Sequence, residues 1–78
     1  MKKIEGRIQD MVFKNIRNLR EDNDKTQQEI ADYLNIKQTT YSKYELGKIN
    51  IPIEVFIKLA DYYDVSLDYL VDRSKDKH

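Results

Sequence analysis

The chain has 78 residues, about 40% of them hydrophobic, which is enough for one compact core and no second one. Fourteen Lys and Arg balance fourteen Asp and Glu, and there is no Cys. Disulfide frameworks, Cys-based zinc sites, iron–sulfur clusters and thiol catalysis are thereby excluded, and the reducing cytoplasm is the expected location. No apolar run approaches the ~18 residues of a membrane span, and the opening MKKIEGRIQDMVF has no apolar centre of the kind a secretion signal carries.

Only two Gly and one Pro occur, which favours helices over a turn-rich β fold. The first helix is expected from about Ile8 to Asp22, with Val12, Phe13, Ile16, Leu19 and Arg20 on one face. The polar cluster Glu21-Asp22-Asn23-Asp24 ends it. Thr26 caps a second helix, from Gln27 to about Leu34. Thr26-Gln27-Gln28-Glu29 has the spacing of a capping box, with Glu29 reaching back to the cap backbone. Asn35-Ile36-Lys37 forms a break, because Asn tolerates the left-handed conformation that ends helices. A third helix runs from about Gln38 to Leu46 and stops at Gly47. Pro52 suits the first turn of a fourth, which reaches about Tyr63 with Val55, Phe56, Leu59, Ala60 and Tyr63 as its apolar stripe. After Asp64-Val65, Ser66 caps a short fifth helix containing Leu67, Leu70 and Val71. The expected domain covers residues 8–72, and the polar tail 73–78 is expected to be disordered. A capped five-helix bundle accounts for every apolar position, and the pattern alone says no more than that.

Helix three asks for more. At 100° per residue, Gln38, Thr39, Ser42, Lys43 and Leu46 fall within roughly 140° of arc. Thr40, Tyr41, Tyr44 and Glu45 take the other side, which packs through its two aromatics. The outer face holds an amide, two hydroxyls and an amine and is nearly free of acid. A solvated helix face usually mixes Glu with Lys. Gln suits adenine N6 and N7, Lys suits guanine O6 and N7, and Ser or Thr fits either. The three- to four-residue turn between helices two and three has helix-turn-helix spacing. Free backbone N–H groups at Gln27 and Gln28 favour a phosphate, and Lys25 lies beside them. Lys37 precedes helix three, and Lys48 and Asn50 follow it, so phosphate-binding groups flank the outer face.

The run Thr26-Gln27-Gln28-Glu29-Ile30-Ala31, then Gln38 to Gly47, then Ala60 through Val65-Ser66 to Leu70, resembles the phage repressor-like helix-turn-helix family of lambda-repressor and Cro type (XRE). The likeness covers about residues 11–72. It implies an all-α, five-helix DNA-binding domain. It further implies base contacts from Gln38, Thr39 and Lys43, to which the helical arc adds Ser42. Phosphate contacts are implied for Gln27, Lys37, Thr40, Lys48 and Asn50. Arg20 and Glu45 match an opposite-charge pair joining helices one and three; the plain alternative is two unrelated surface charges. Lys37 departs from the family, which usually has a Ser or Thr cap there. The loss is on the order of 1 kcal/mol. The zero net charge is a second departure and predicts modest nonspecific affinity.

The expected function is sequence-specific binding of an operator in double-stranded DNA to regulate, most simply to repress, transcription. A homodimer on a palindromic operator is expected, with half-sites ~34 Å apart. Its contact is expected at Leu67, Tyr69, Leu70 and Val71. The second reading is an antitoxin-type or other protein-binding module on the same fold, neutralising a partner protein held through Met1–Asp10 or the tail and autoregulating its own operon. Tyr33, Tyr44 and Tyr63 read as packing groups; Tyr41 can also pack, with its hydroxyl reaching a phosphate. Asp61, Asp64, Asp68 and Asp72 read as a solvated face without a metal. Ser42 and Ser66 lack a His partner, His78 is terminal, and neither an enzyme nor a cofactor is expected.

Overall fold

A computed structural model describes residues 13–72 and Lys77. It contains five helices: α1 (Lys14–Asp22), α2 (Gln27–Leu34), α3 (Gln38–Leu46), α4 (Ile53–Tyr63) and α5 (Leu67–Leu70). Among the described residues there is no strand.

The first four helices end in the same way. A residue with positive φ follows each one: Asp24 at 56°, Asn35 at 61°, Gly47 at 72° and Asp64 at 57°. The next backbone N–H then reaches back five residues to close the helix. Lys25 donates to the Arg20 carbonyl at 2.9 Å, Ile36 to Ala31 at 3.0 Å, Lys48 to Lys43 at 2.9 Å and Val65 to Ala60 at 3.0 Å. This closure needs the left-handed conformation, which Gly adopts freely and Asn and Asp tolerate better than other residues. The chain thus turns sharply four times with a single Gly.

The starts of the helices are less uniform. Thr26 Oγ1 accepts the Glu29 N–H at 3.0 Å, and Glu29 Oε1 accepts the Thr26 N–H at 2.8 Å, so the capping box is complete. That backbone hydrogen bond holds the Glu29 carboxyl below its ordinary range. Ser66 Oγ accepts the Tyr69 N–H at 3.1 Å. Lys37 provides no side-chain cap for α3, as its chemistry dictates. Pro52 sits one residue before α4, as its cap.

The start of α1 corrects the expectation from periodicity. Phe13 is not helical: its φ of −92° and ψ of 87° make it the cap, and the helix begins at Lys14 rather than at Ile8. Its ring instead meets Phe56 edge-on, with centroids 5.1 Å apart. Helical spacing cannot separate a helical Phe from one that folds onto the same core just ahead of the helix. Residues 8–12, the Met1–Asp10 segment and most of the tail lie outside the described residues.

The core draws on every helix: Ile16 and Leu19, Ile30, Ala31 and Leu34, Tyr41 and Tyr44, Val55, Phe56, Leu59 and Ala60, and Leu70. The most extensive packing is between α2 and α3; α5 packs on α4, and α1 packs on both α3 and α5. Ala31, small and wholly buried, lies on the face of α2 that enters this core. Two polar ties hold the periphery. Asn15 Nδ2 donates to the Tyr69 carbonyl at 2.6 Å, joining α1 to α5. The Tyr33 hydroxyl donates to the Lys58 carbonyl at 3.1 Å, and its ring lies 4.6 Å from Tyr62. Tyr33 is therefore a rim group between α2 and α4, whereas Tyr44 is buried and Tyr63 half-buried.

Candidate nucleic-acid interface

The site begins with the inner face of α3. Tyr41 and Tyr44 enter the core with rings 6.4 Å apart, edge to face. They anchor the helix, which leaves the opposite arc facing out. Thr39, Lys43 and Leu46 are exposed, and Gln38, Thr40 and Ser42 are half-buried. The only carboxylate on α3 is Glu45, and it is 7% exposed. The outer face therefore carries no acid of its own.

Glu45 is held inside by a set of donors. Arg20 Nε donates to Oε2 at 2.7 Å and the terminal guanidinium nitrogen to Oε1 at 3.1 Å, a two-point bond between α1 and α3. Arg20 also donates to the Lys25 carbonyl at 3.0 Å, which ties in the turn before α2. Burial works against the Glu45 charge. Hydrogen bonds from Arg20 and Gln27, the Arg20 charge and the Tyr41 hydroxyl that faces the group outweigh it and hold the carboxyl below its ordinary range. The bond to Glu45 likewise raises Arg20 further.

Tyr41 corrects an expectation. The residue packs, as expected, and is wholly buried, but its hydroxyl faces Glu45 rather than a phosphate. That hydroxyl has no partner at well-formed hydrogen-bonding geometry. Burial first, and the carboxylate beside it second, push it well above the usual tyrosine range.

Gln27 links this cluster to the start of α3. Its Nε2 donates to Glu45 Oε1 at 3.0 Å. Its Oε1 accepts from Gln38 Nε2 at 2.6 Å. Two sequence-predicted site residues, eleven positions apart, are thus bonded to each other. Gln27, expected to serve a phosphate, spends its oxygen and one N–H inside the protein and keeps the second N–H. The Gln27–Gln38 bond carried no signal in the sequence, since either amide alone reads as a solvent-facing group.

The remaining predicted residues frame the outer arc. Thr26 satisfies the Glu29 N–H, so the N–H groups of the first residues of α2 are left to point out of its positive end. Lys25 is half-buried at that end, and Lys37, Lys48 and Asn50 are exposed at the two ends of α3. Leu46, 56% exposed, and Ile49, 37% exposed, add an apolar fringe at the far end.

A helix two that abuts helix three across an Asn turn, with an acid-free outer arc flanked by lysines, is the architecture of a helix-turn-helix. The model of a helix-turn-helix family of XRE type matches residues 16–70. The chain belongs to this family. The helix-turn-helix domain is 38% identical over 61 residues to YqaE of Bacillus subtilis, named as an HTH-type transcriptional regulator; this covers 78% of the chain and 53% of that protein. It is 41% identical over 49 residues to RstR of Vibrio cholerae, named as a cryptic phage transcriptional repressor, covering 63% of the chain and 44% of that protein. It is also 40% identical over 47 residues to AnsR of Bacillus subtilis, an HTH-type transcriptional regulator, covering 60% and 40%. The chain spans about half the length of the curated relatives it matches. No solved structure gives a significant match. Among the described residues no helix is long and apolar enough to cross a membrane, and no group of acidic or His side chains is arranged to hold a metal.

Proposed function

We propose that this helix-turn-helix chain binds double-stranded DNA sequence-specifically and represses transcription from the operator it reads, with α3 in the major groove and α2 across the backbone. The observation that carries this reading is the outer arc of α3: amide, hydroxyl and ammonium groups stand outward while its single carboxylate is turned in and paired. In water such a face has no reason to exclude acid; against a polyanion it does. Base contacts are assigned to Gln38, Thr39 and Lys43, with Ser42 beside them. Phosphate contacts are assigned to the free N–H of Gln27 and to Lys25, Lys37, Thr40, Lys48 and Asn50. The mechanism is binding without chemistry, in the cytoplasm where such an operator lies, by a homodimer. The names of the relatives support regulation of transcription.

Selection of binding sites from random duplex DNA tests this directly, and enrichment of one motif is the expected result. Against that motif, Gln38→Ala is expected to lose ~1–3 kcal/mol and to relax preference at one base pair. Lys48→Ala is expected to weaken all sequences about equally. If the two variants act alike on selected and random DNA, the division into base and phosphate contacts fails. If the pool yields no motif and the chain co-purifies with a second protein, the partner-binding reading replaces this one.

A further inference from the structure

Glu45 never reaches the outer arc of α3, yet its surroundings decide which atoms Gln38 turns outward. An ionised carboxylate only accepts hydrogen bonds. Glu45 accepts two from Arg20 and one from Gln27, and the buried Tyr41 hydroxyl faces the same group. Gln27 can therefore offer it only the NH2 end of its side-chain amide. That leaves Gln27 Oε1 pointing to the start of α3, where Gln38 can meet it only with its own NH2, at 2.6 Å. A side-chain amide has two orientations of nearly equal shape, and its hydrogen-bond partners alone choose between them. Here one buried charge makes the choice twice in succession.

We propose that Glu45 is a positioning residue that fixes the polarity of the Gln38 amide and so restricts it to adenine against guanine. The inference rests on the reading of Gln38 as a base-contacting residue. With one N–H given to Gln27, Gln38 keeps one N–H beside its free oxygen. That donor–acceptor pair matches adenine, whose N7 accepts and whose N6 amino group donates. Guanine presents two acceptors, N7 and O6, and requires two donors. A reversed Gln38 would give its oxygen to Gln27 and free both N–H groups, which admits guanine.

The test compares adenine with guanine, in duplexes carrying the selected motif, at the base pair whose preference Gln38→Ala abolishes. The wild-type chain is expected to prefer adenine there by about tenfold or more. Glu45→Gln introduces a donor among donors and is expected to lower that ratio severalfold. It should leave the preferences at the other base pairs of the motif unchanged. Gln27→Ala keeps the Arg20–Glu45 pair, cuts the relay at its middle, and is expected to lower the same ratio. It carries the test if Glu45→Gln does not fold. A loss of preference at every base pair alike marks a merely structural role and overturns the proposal, as does an unchanged ratio in a folded variant or a wild-type preference for guanine. The affinity that Gln27→Ala loses on all sequences through its phosphate contact leaves the ratio untouched. In the protein without DNA, Glu45→Gln is expected to shift the side-chain amide NMR resonances of Gln38, which Glu45 does not touch. Unmoved resonances refute the relay even if the DNA reading stands, and moved resonances with no selectable motif refute the DNA reading alone.

Discussion

Replacing Glu45 by Gln keeps the size of the side chain and removes the charge that Arg20 pairs with. The consequence for stability depends on pH. The Glu45 carboxyl is held below its ordinary value in the folded chain, so its contribution is complete above the unfolded value of about 4.3 and is lost as pH falls through the lower folded value. Denaturant unfolding from pH 7 down to 3 is expected to show the wild type losing stability through that window, and Glu45→Gln to start lower and lose less. Glu29 titrates in the same direction, but it is exposed and common to both proteins. Arg20→Met is expected to cost about 3 kcal/mol at pH 7, because it leaves a buried carboxylate with Gln27 as its one remaining hydrogen-bond donor among the described residues. A smaller effect of Arg20→Met than of an exposed control such as Arg17→Met, whose pair with Glu21 lies in solvent, would show that the buried pair contributes little.

Among the elements, α3 is the least explained by its own sequence. It has no side-chain cap, Lys37 opposes its dipole, and the residues it buries are two tyrosines and a glutamate. Lys37 already has the extended backbone of a cap, with φ −74° and ψ 147°. Lys37→Ser therefore places a hydroxyl where it can accept from the first turn, and the variant is expected to gain on the order of 1 kcal/mol. Affinity for selected and random duplexes is expected to fall together as one phosphate contact is lost. A stabilised variant with undiminished affinity would remove Lys37 from the interface. The extents of α2 and α3 were legible because their caps and stops are local chemistry: Thr26 with Glu29, then Asn35, then Gly47. The start of α1 was not, because Phe13 contributes to the same core from outside the helix. The outer arc was legible from angular spacing alone. The Gln38–Gln27–Glu45–Arg20 chain was not, because it joins three helices and no spacing within one of them encodes it.

At the scale of the whole molecule, the zero net charge hides a gradient. Residues 1–50 sum to +2 and residues 51–78 to −2. In the proposed complex the α2–α3 half faces the phosphates, as the sign of this gradient favours. The proposed two-fold partner then has to be met outside the α3 face. The surface expected for it has changed: Leu70 is wholly buried, Tyr69 and Val71 are half-buried, and of that group Leu67 alone is exposed, at 36%. Ile53 and Ile57, one turn apart on α4, stand out more, at 62% and 46%. In the proposed dimeric complex each half-site engages one copy of α3, so a dimer contact adds affinity only when both half-sites are present. Leu67→Asp is accordingly expected to weaken binding to a duplex with two half-sites and to leave a single half-site unaffected, in mobility-shift titrations. If Leu67→Asp has no effect and Ile57→Asp produces that pattern, the two-fold contact runs along α4. If neither does, the copies bind their half-sites independently.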